Sequence, residues 1–369
     1  MTAAENHVAA IQRVGLVGAG AAAAAHLHAL RRLRNVQVVG ILDHDHSRAV
    51  AVAARFGLPR EIADPGRFYT AAGPQLVHVA TPPHTHETVA MEALEHRTHV
   101  LTEKPPALTV AACERLQSRA DARKLTIGVN ENTAWDPLIG NAARMIAAGQ
   151  LGGLLHIDGV YCFGIGPDEL PPGWACRLPG GMLEDLLPHL IVTARALSGR
   201  HLTLEHWHLG SAARVEGEPH DELRLLLTGT EGLTVQLTLS LSAQPKAFCL
   251  TARGTRATLS IDLRNMLFRL ISLRGRHRAI ATAMELTGSA VGVIAQTAVN
   301  AIGILAGTPE RHGSSYHLFR HHYAAFEAGG EKLFPGPPLA GLRHFQTLIA
   351  ADDRLYVGAD GRLYAFGLP

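Results

Sequence analysis

The stretch from Leu76 to Thr109 constrains the fold more than any other part of the chain. An apolar run, Leu76 to Ala80, ends at Thr81-Pro82-Pro83, and apolar residues at helical spacing follow it. A second apolar run, His99 to Thr102, leads directly into Glu103-Lys104-Pro105. These patterns predict strand, turn, helix and strand. Ligands of open α/β sheets bind beyond the carboxyl ends of the strands, so Lys104 is a candidate for chemistry. The alternative is a surface lysine paired with Glu103.

The first apolar strand precedes a glycine-rich turn. Val14 to Val17 is followed by Gly18-Ala19-Gly20 and an alanine-rich helix, in a GxGxxA pattern that ends at Ala23. The first glycine allows a tight turn, the second lets the backbone approach a pyrophosphate, and Ala23 permits close helix packing. The second strand ends at Asp43, where a carboxylate can bind ribose hydroxyls and repel a 2′-phosphate. We therefore predict NAD as the cofactor, with NADP disfavoured; the alternative is that Asp43 only caps the next helix.

Strand and helix alternate in the first part of the chain and then stop alternating. The alternation runs to Val129, which predicts an α/β domain with a doubly wound parallel sheet, the Rossmann fold. Beyond Asn130, helices and then several consecutive strands predict an α+β domain with a large open antiparallel sheet. The expected domains are residues 1–130 and 131–369. The last helix and a hairpin around Asp360-Gly361 are candidates to pack back on the first domain.

Four segments resemble the Gfo/Idh/MocA oxidoreductase family, the group of glucose-fructose oxidoreductase and inositol dehydrogenase. They read VGLVGAGAAAAAHLHAL, VVGILDHD, VHVATPPHTHETVAMEALEHRTHVLTEKPPALT and LPGGMLEDLLPHL. The resemblance implies that Lys104 of the EKP motif and a D-x-x-x-H pair, Asp185 and His189, surround the substrate carbon. It implies that the histidine is the general acid or base. It also implies an open sheet whose face supports oligomerisation.

The D-x-x-x-H pair has its own chemical rationale. Asp185 and His189 are four residues apart on a predicted helix, so both side chains project from one face. Hydride transfer from an alcohol carbon requires a group that takes the hydroxyl proton, which suits imidazole. A nearby lysine stabilises the developing alkoxide, or polarises the carbonyl in the reverse direction. Asp185 is expected to orient the imidazole; the alternative is a purely structural Asp-His pair.

Further candidate contacts lie at the strand ends and in one loop. The predicted cofactor-binding residues are Gly18, Gly20, Ala23, Asp43, Thr81, Pro82, His86, Glu103 and Lys104. Trp174 and Arg177, in the Pro/Gly-rich loop 164–181, are candidate substrate contacts, with packing as the alternative for Trp174. Ala134 and Val192 stand where many members of the family carry polar substrate ligands. This difference favours a substrate that is less hydroxylated than a free hexose.

Charge and composition narrow the partners to a small molecule. The formal net charge is +2 without long Lys/Arg runs, which argues against nucleic acid. The 4 cysteines are scattered, and the 22 histidines assemble no set of three ligands, so we predict no metal site and interpret the histidines as surface residues. No signal peptide precedes the first strand, which predicts a cytoplasmic protein.

One apolar segment, Met284 to Ala306, is about as long as a membrane span. Ser289, Gln296 and Asn300 interrupt it, which favours a buried or interface helix over a membrane-associated segment. We therefore expect a homo-oligomer, dimer or tetramer, without stable membrane insertion.

Three functions are compatible with these features. The first is an NAD(H)-dependent oxidoreductase that acts on a secondary alcohol or ketone of a sugar-like, cyclitol or other cyclic substrate. The second uses bound NAD to oxidise a substrate transiently, so that elimination or hydrolysis can follow, as NAD-dependent glycosidases of the family do. The third is a non-catalytic dinucleotide-binding protein, against which Lys104, Asp185 and His189 argue.

Overall fold

The computed structural model describes residues 12–33, 35–59, 63–165, 173, 175, 178, 180–211, 215, 218, 220–272, 278–305, 348–351, 354–359 and 362–367. These residues fall into two compact units, the first of which ends at Asn130 and the second of which begins at Glu131. That each unit is an independent domain remains a prediction, as does the packing of the C-terminal hairpin on the first domain.

The first unit is a five-stranded parallel sheet with the strand order β2-β1-β3-β4-β5. Leu16, Leu27 and Ile41 are fully buried together where a helix covers the first two strands. Such strands are short apolar runs because helices cover both faces of a parallel sheet. The predicted Rossmann sheet is confirmed. Its elements are β1 (Gln12–Val17), α1 (Ala21–Leu30), β2 (Val36–Leu42), α2 (His46–Arg55), β3 (Leu76–Val79), α3 (His86–Glu95), β4 (His99–Glu103), α4 (Val110–Arg123) and β5 (Ile127–Asn130).

Among the described residues, the second unit contains three α-helices, and two of them accompany a seven-stranded sheet with the order β12-β11-β10-β6-β9-β8-β7. A long helix and a second sheet of three strands follow it. The elements of this unit are α5 (Pro137–Ala147), β6 (Leu154–Cys162), α6 (Gly181–Ser198), β7 (Leu202–Gly210), β8 (Glu222–Gly229), β9 (Thr234–Ser240), β10 (Ala247–Gly254), β11 (Thr258–Asp262), β12 (Leu267–Ile271), α7 (Arg278–Leu305), β13 (Leu348–Ala351), β14 (Arg354–Ala359) and β15 (Arg362–Gly367).

The seven-stranded sheet is mostly antiparallel, as predicted, but one central pair of strands is parallel. β6 lies between β10 and β9 and runs parallel to β9. Parallel neighbours need a crossover connection, and the chain between these strands includes α6. α6 packs closely on β6 at Gly159. A Cβ atom there would lie 3.1 Å from Leu190 of α6 and 2.8 Å from Leu237 of the neighbouring strand β9. The predicted open antiparallel sheet is therefore confirmed, with one parallel pair among its strands.

The predicted C-terminal strands are present. β14 and β15 pair antiparallel, with Ala359 opposite Arg362. The Asp360-Gly361 turn itself lies outside the described residues.

Helix α7 has a polar side that contacts the sheet and an apolar side that does not. The side-chain amide of Gln296 accepts the N–H of Phe268 at 2.7 Å and donates to its carbonyl at 2.9 Å, which covers the edge strand β12. Ile294 is 70% exposed and Ile302 is 65% exposed. The segment Leu286–Gly303 is long and apolar enough to cross a membrane, with a mean hydropathy of 1.2, and only 6% of it is buried. Of the predicted alternatives, a buried or an interface helix, the buried one is therefore wrong for this segment, and the interface helix stays a prediction. Length and apolarity do not reveal which partner covers a helix.

We expect Ile294→Glu to shift the protein to a smaller assembly, because a charge at an apolar interface remains uncompensated. The protein should purify without detergent, and light scattering after size exclusion measures its mass. The matched control is Ser118→Glu on the exposed side of α4, which should leave the mass unchanged. Recovery of the wild type only from membranes would contradict the interface assignment.

Candidate active site

The turn between β1 and α1 forms a cradle of backbone groups. Gly18 has a φ of +104°, and a Cβ atom there would lie 2.4 Å from the carbonyl oxygen of Ala80, so only glycine fits. A Cβ atom at Gly20 would meet nothing within 4 Å, so a ligand has room to approach the backbone there. Among the residues that the structure describes, no side chain caps the start of α1. Ala23 is fully buried, as close packing requires. This arrangement fits the pyrophosphate of a dinucleotide.

Asp43 is held firmly at the end of β2. One carboxylate oxygen accepts the N–H of Ala19 at 2.7 Å, and the other accepts the N–H of Asp45 at 2.9 Å. The Asp43 side chain is only 8% exposed. Oδ1 also lies 2.9 Å from His44 Nδ1, so Oδ2 is the oxygen with room for a further hydrogen bond, such as one from a ribose hydroxyl. Asp43 therefore organises the glycine turn. The next helix, α2, is capped by Asp45, so the capping alternative for Asp43 is wrong.

The EKP motif rests on a buried polar network. The His26 ring contacts the His78 ring with its Nδ1 atom at 2.8 Å, and Glu103 Oε1 with its Nε2 atom at 2.6 Å. The Asn130 side-chain amide donates to the same Glu103 oxygen, because the parallel register of β4 and β5 places these residues side by side. Burial tends to raise the pKa of Glu103, but the bonds from His26 and Asn130 and the charge of Lys104 bring that pKa below its usual value. Glu103 is therefore an anion that positions the strand end next to Lys104.

Several histidines are buried, which corrects the prediction that they lie on the surface. His26 is 1% exposed, and His78 and His86 are fully buried. His86 Nδ1 lies 2.6 Å from the Pro105 carbonyl oxygen, and Nε2 lies 2.7 Å from the Thr81 carbonyl oxygen. Burial lowers the pKa of His86. His86 therefore connects the turns after β3 and β4, and its predicted contact with the cofactor stays a prediction.

The second unit presents the predicted pair on an otherwise buried helix. Between Gly181 and Leu190 of α6, Asp185 and His189 are the two residues that are not buried. His189 Nδ1 lies 2.8 Å from Glu131 Oε1, and both side chains are about 15% exposed. Thr133 donates to the same Glu131 oxygen at 2.5 Å. The sequence assigned the orientation of the imidazole to Asp185, but the carboxylate that contacts Nδ1 is Glu131.

The tautomer of His189 follows from this contact. With Nδ1–H donating to a carboxylate, the Nε2 atom carries the lone pair. Among the residues that the structure describes, none is bonded to this Nε2 atom. The pair can therefore accept a proton at Nε2 and stabilise the resulting imidazolium. Glu131 follows β5 directly, so the rule for strand ends could have identified it from the sequence.

The other positions considered for substrate binding are Trp174, Arg177, Ala134 and Val192. Trp174 and Arg177 lie outside the described residues. Ala134 is 7% exposed and Val192 is 3% exposed, and both belong to the apolar core of the second unit. These two positions therefore offer no polar group to a ligand. Among the described residues, no three His, Cys, Asp or Glu side chains are grouped as metal ligands.

Glu184, which the sequence analysis did not single out, is buried next to Asp185. Its Oε2 atom accepts the N–H of Gly180 at 2.8 Å at the start of α6, while its Oε1 atom has no hydrogen-bond partner. Burial, together with the negative charge of Asp185, raises the pKa of Glu184 to about 7, although the bond from Gly180 opposes this shift. Glu184 is therefore largely protonated in the folded protein below neutral pH.

Comparison with known families assigns the chain. Residues 12–131 match the family described as "Oxidoreductase family, NAD-binding Rossmann fold", and residues 139–260 match the "GFO/IDH/MocA C-terminal domain". The chain belongs to the Gfo/Idh/MocA oxidoreductase family. Its first unit is the NAD-binding Rossmann domain of that family, in agreement with the cradle between β1 and α1.

Individual Gfo/Idh/MocA proteins show how far the similarity extends. D-apiose dehydrogenase of Paraburkholderia graminis is 26% identical over 59% of this chain and 58% of that protein. Inositol 2-dehydrogenase 1 of Saccharopolyspora erythraea is 37% identical over 38% of this chain and 42% of that protein. The matches thus span about half the length of these curated relatives. The crystal structure of an inositol dehydrogenase homologue with NAD+ from Azotobacter vinelandii shares the fold. Its TM-score is 0.68 at 22% identity, over 94% of this chain and 93% of that chain.

Within this Gfo/Idh/MocA chain, we expect Asp43→Ser to weaken NAD binding about tenfold and to affect NADP binding less. The variant loses an acceptor for the ribose and the charge that repels a 2′-phosphate. Calorimetric titration with NAD and with NADP measures the ratio of the two affinities. Asp45→Ser is the matched control, because the Asp45 side chain caps α2 and serine can replace it there. A wild type that binds NADP more tightly than NAD would remove the assignment.

We expect the free energy of unfolding to depend on the ionisation of Glu184. The folded state keeps a proton that the unfolded chain releases above its ordinary pKa of 4.5, and the folded pKa is about 7. This contribution to stability is therefore fully present below about pH 4.5 and is lost as the pH rises through about 7, by about 3 kcal/mol at most. Glu184→Gln should flatten this slope in urea unfolding curves, and Glu114→Gln on the exposed side of α4 should keep it. The same dependence of the free energy of unfolding on pH in the wild type, Glu184→Gln and Glu114→Gln would contradict the assignment.

Proposed function

We propose that this protein is an NAD(H)-dependent oxidoreductase that transfers a hydride between nicotinamide and a secondary alcohol or ketone of a sugar-like, cyclitol or other cyclic substrate. The observation that carries the proposal is the contact between Glu131 and His189, on the open side of a buried helix, in a chain with an NAD-binding Rossmann domain. An imidazole held by a carboxylate through Nδ1 is the arrangement of a general base.

Each residue has a separate task in this reaction. Bound NAD supplies the hydride acceptor, and NADH supplies the donor in the reverse direction. His189 takes the hydroxyl proton at Nε2, and Glu131 stabilises the imidazolium. Lys104 stabilises the negative charge that develops on the substrate oxygen. Asp185 is proposed as a further polar contact to the substrate or to the imidazole.

The remaining assignments concern the cofactor and the setting of the protein. We assign the pyrophosphate to the backbone around Gly18 and Gly20, the ribose to Asp43, and further contacts to Thr81, Pro82 and Lys104. NAD is preferred over NADP because of the Asp43 carboxylate. The protein acts on a small molecule, in the cytoplasm, as a homo-oligomer.

The test is a spectroscopic search for turnover. The purified protein is incubated with NAD and a panel of cyclic polyols and sugars, and separately with NADH and the corresponding ketones, while the nicotinamide absorbance is recorded. We expect NADH formation with at least one cyclic alcohol. Consumption of a glycoside without net NADH would favour the transient-oxidation cycle. Tight NAD binding with no reaction in any arm would favour the non-catalytic alternative.

A further inference from the structure

The second unit contains a cavity whose described lining includes none of the predicted site residues. Its volume is about 450 Å³, and it lies where β6, β10 and the turn after β11 meet the start of α5. This volume is in the range of small-molecule sites. Aromatic side chains line one side of it, and the cationic side chains of Lys246 and Arg264 line another.

The aromatic side is a rigid surface. Tyr161 and Phe248 are cross-strand partners on β6 and β10, and their rings stack with centroids 4.5 Å apart and planes 5° from parallel. The ring of Phe163 meets Tyr161 edge to face at 6.3 Å. Stacked rings of neighbouring strands lose little further freedom on binding. The cavity therefore offers a preformed apolar surface to the carbon skeleton of a ligand.

The charged side of the cavity carries an exposed guanidinium group. Lys246 lies with its Nζ atom 5.8 Å from the centre of the Phe163 ring, and Arg264 is exposed in the turn after β11. Among the described lining residues, Asp136 carries a carboxylate, which is the N-cap of α5 and accepts the N–H of Leu138 at 2.8 Å. A helix N-terminus offsets the charge of such a cap. The exposed guanidinium of Arg264 therefore favours an anionic ligand group.

One lining residue connects the cavity to the proposed proton acceptor. Thr133 lines the cavity, and its hydroxyl donates to the Glu131 oxygen that contacts His189. Burial, and then the charges of Asp185 and Glu131, raise the pKa of Tyr161 to about 12, whereas the charge of Arg264 acts in the opposite direction. The phenol thus lies within electrostatic reach of the carboxylates next to His189 and of the guanidinium.

We propose that this cavity binds the part of the substrate away from the reacting carbon, and that this part carries an oxyanion, a carboxylate or a phosphate. The proposal rests on the proposed function and names its substrate class. The ring of the substrate lies along Tyr161 and Phe163, and its anionic group is bound by Arg264. Guanidinium groups bind carboxylates and phosphates through two parallel hydrogen bonds.

Binding is measured by calorimetry on the full chain loaded with NAD. The probes are matched neutral, uronate and 6-phosphate forms of glucose and of galactose. We expect at least one anionic form to bind at least about tenfold more tightly than its neutral counterpart, and Arg264→Gln to weaken that form about tenfold to a hundredfold. The uronate and phosphate arms show which oxyanion is preferred. Arg264→Lys should recover part of the affinity for the anionic form. Arg264→Gln should leave the affinity for the neutral sugar unchanged.

The matched control is Arg224→Gln, an exposed arginine on β8 that does not line the cavity. Equal affinity for neutral and anionic forms, no binding of any anionic probe, or an equal loss in Arg224→Gln would overturn the cavity assignment. Turnover is scored separately in the same proteins. Anion binding without hydride transfer would contradict the proposed function and keep the inference, while hydride transfer to NAD from neutral sugars alone would do the reverse.

Discussion

Lys104→Met should lower the turnover number by at least about a hundredfold, because this charge stabilises an oxygen whose negative charge develops in the transition state. NAD affinity should remain nearly unchanged, since we assign the pyrophosphate and the ribose to Gly18, Gly20 and Asp43, and only one further contact to Lys104. Steady-state kinetics with the substrate found in the panel measures the first quantity, and calorimetric titration with NAD measures the second.

Lys124→Met is the control for this experiment. Lys124 is exposed at the end of α4 in the same unit, so its removal tests the loss of one positive charge in general. We expect wild-type kinetics from it. A Lys104→Met enzyme with full activity would remove Lys104 from the catalytic assignment, whatever the substrate.

His189→Asn should lower turnover by about a hundredfold to ten-thousandfold and should change the shape of the pH profile. Oxidation by the wild type should rise with pH as the imidazole loses its proton, and the variant should lack this inflection. Glu131→Gln should keep the inflection, because the imidazole is present, but should reduce turnover about tenfold to a hundredfold, because the ring is no longer held by a carboxylate.

His208→Asn on the exposed side of β7 is the matched control and should keep both the rate and the inflection. Profiles of kcat and kcat/KM against pH distinguish a proton acceptor from a binding residue. If His189→Asn kept the inflection of the wild type, the proton acceptor would have to be another group. An unchanged turnover number in Glu131→Gln would show that the contact of Glu131 with His189 Nδ1 has only a structural role.

Local patterns in the amino-acid sequence determined the architecture of the first unit. Periodicity predicted the alternating strands and helices, and glycine at positions 18 and 20 predicted the backbone turn before α1, because these features depend on residues close in the chain. The position of Lys104 at the end of β4 and of Asp185 and His189 on one helix followed from the same short-range rules. The predicted strands of the second unit were also found.

Tertiary structure alone decided which partners these residues have. Glu131 contacts His189 across 58 positions, and His26 contacts Glu103 across 77. No period or spacing connects residues so far apart, because the packing of whole elements brings them together. The same reason applies to the parallel pairing of β6 with β9, and to the exposed side of α7. An apolar pattern shows that a surface must be covered, and only the surrounding elements show whether the chain covers it.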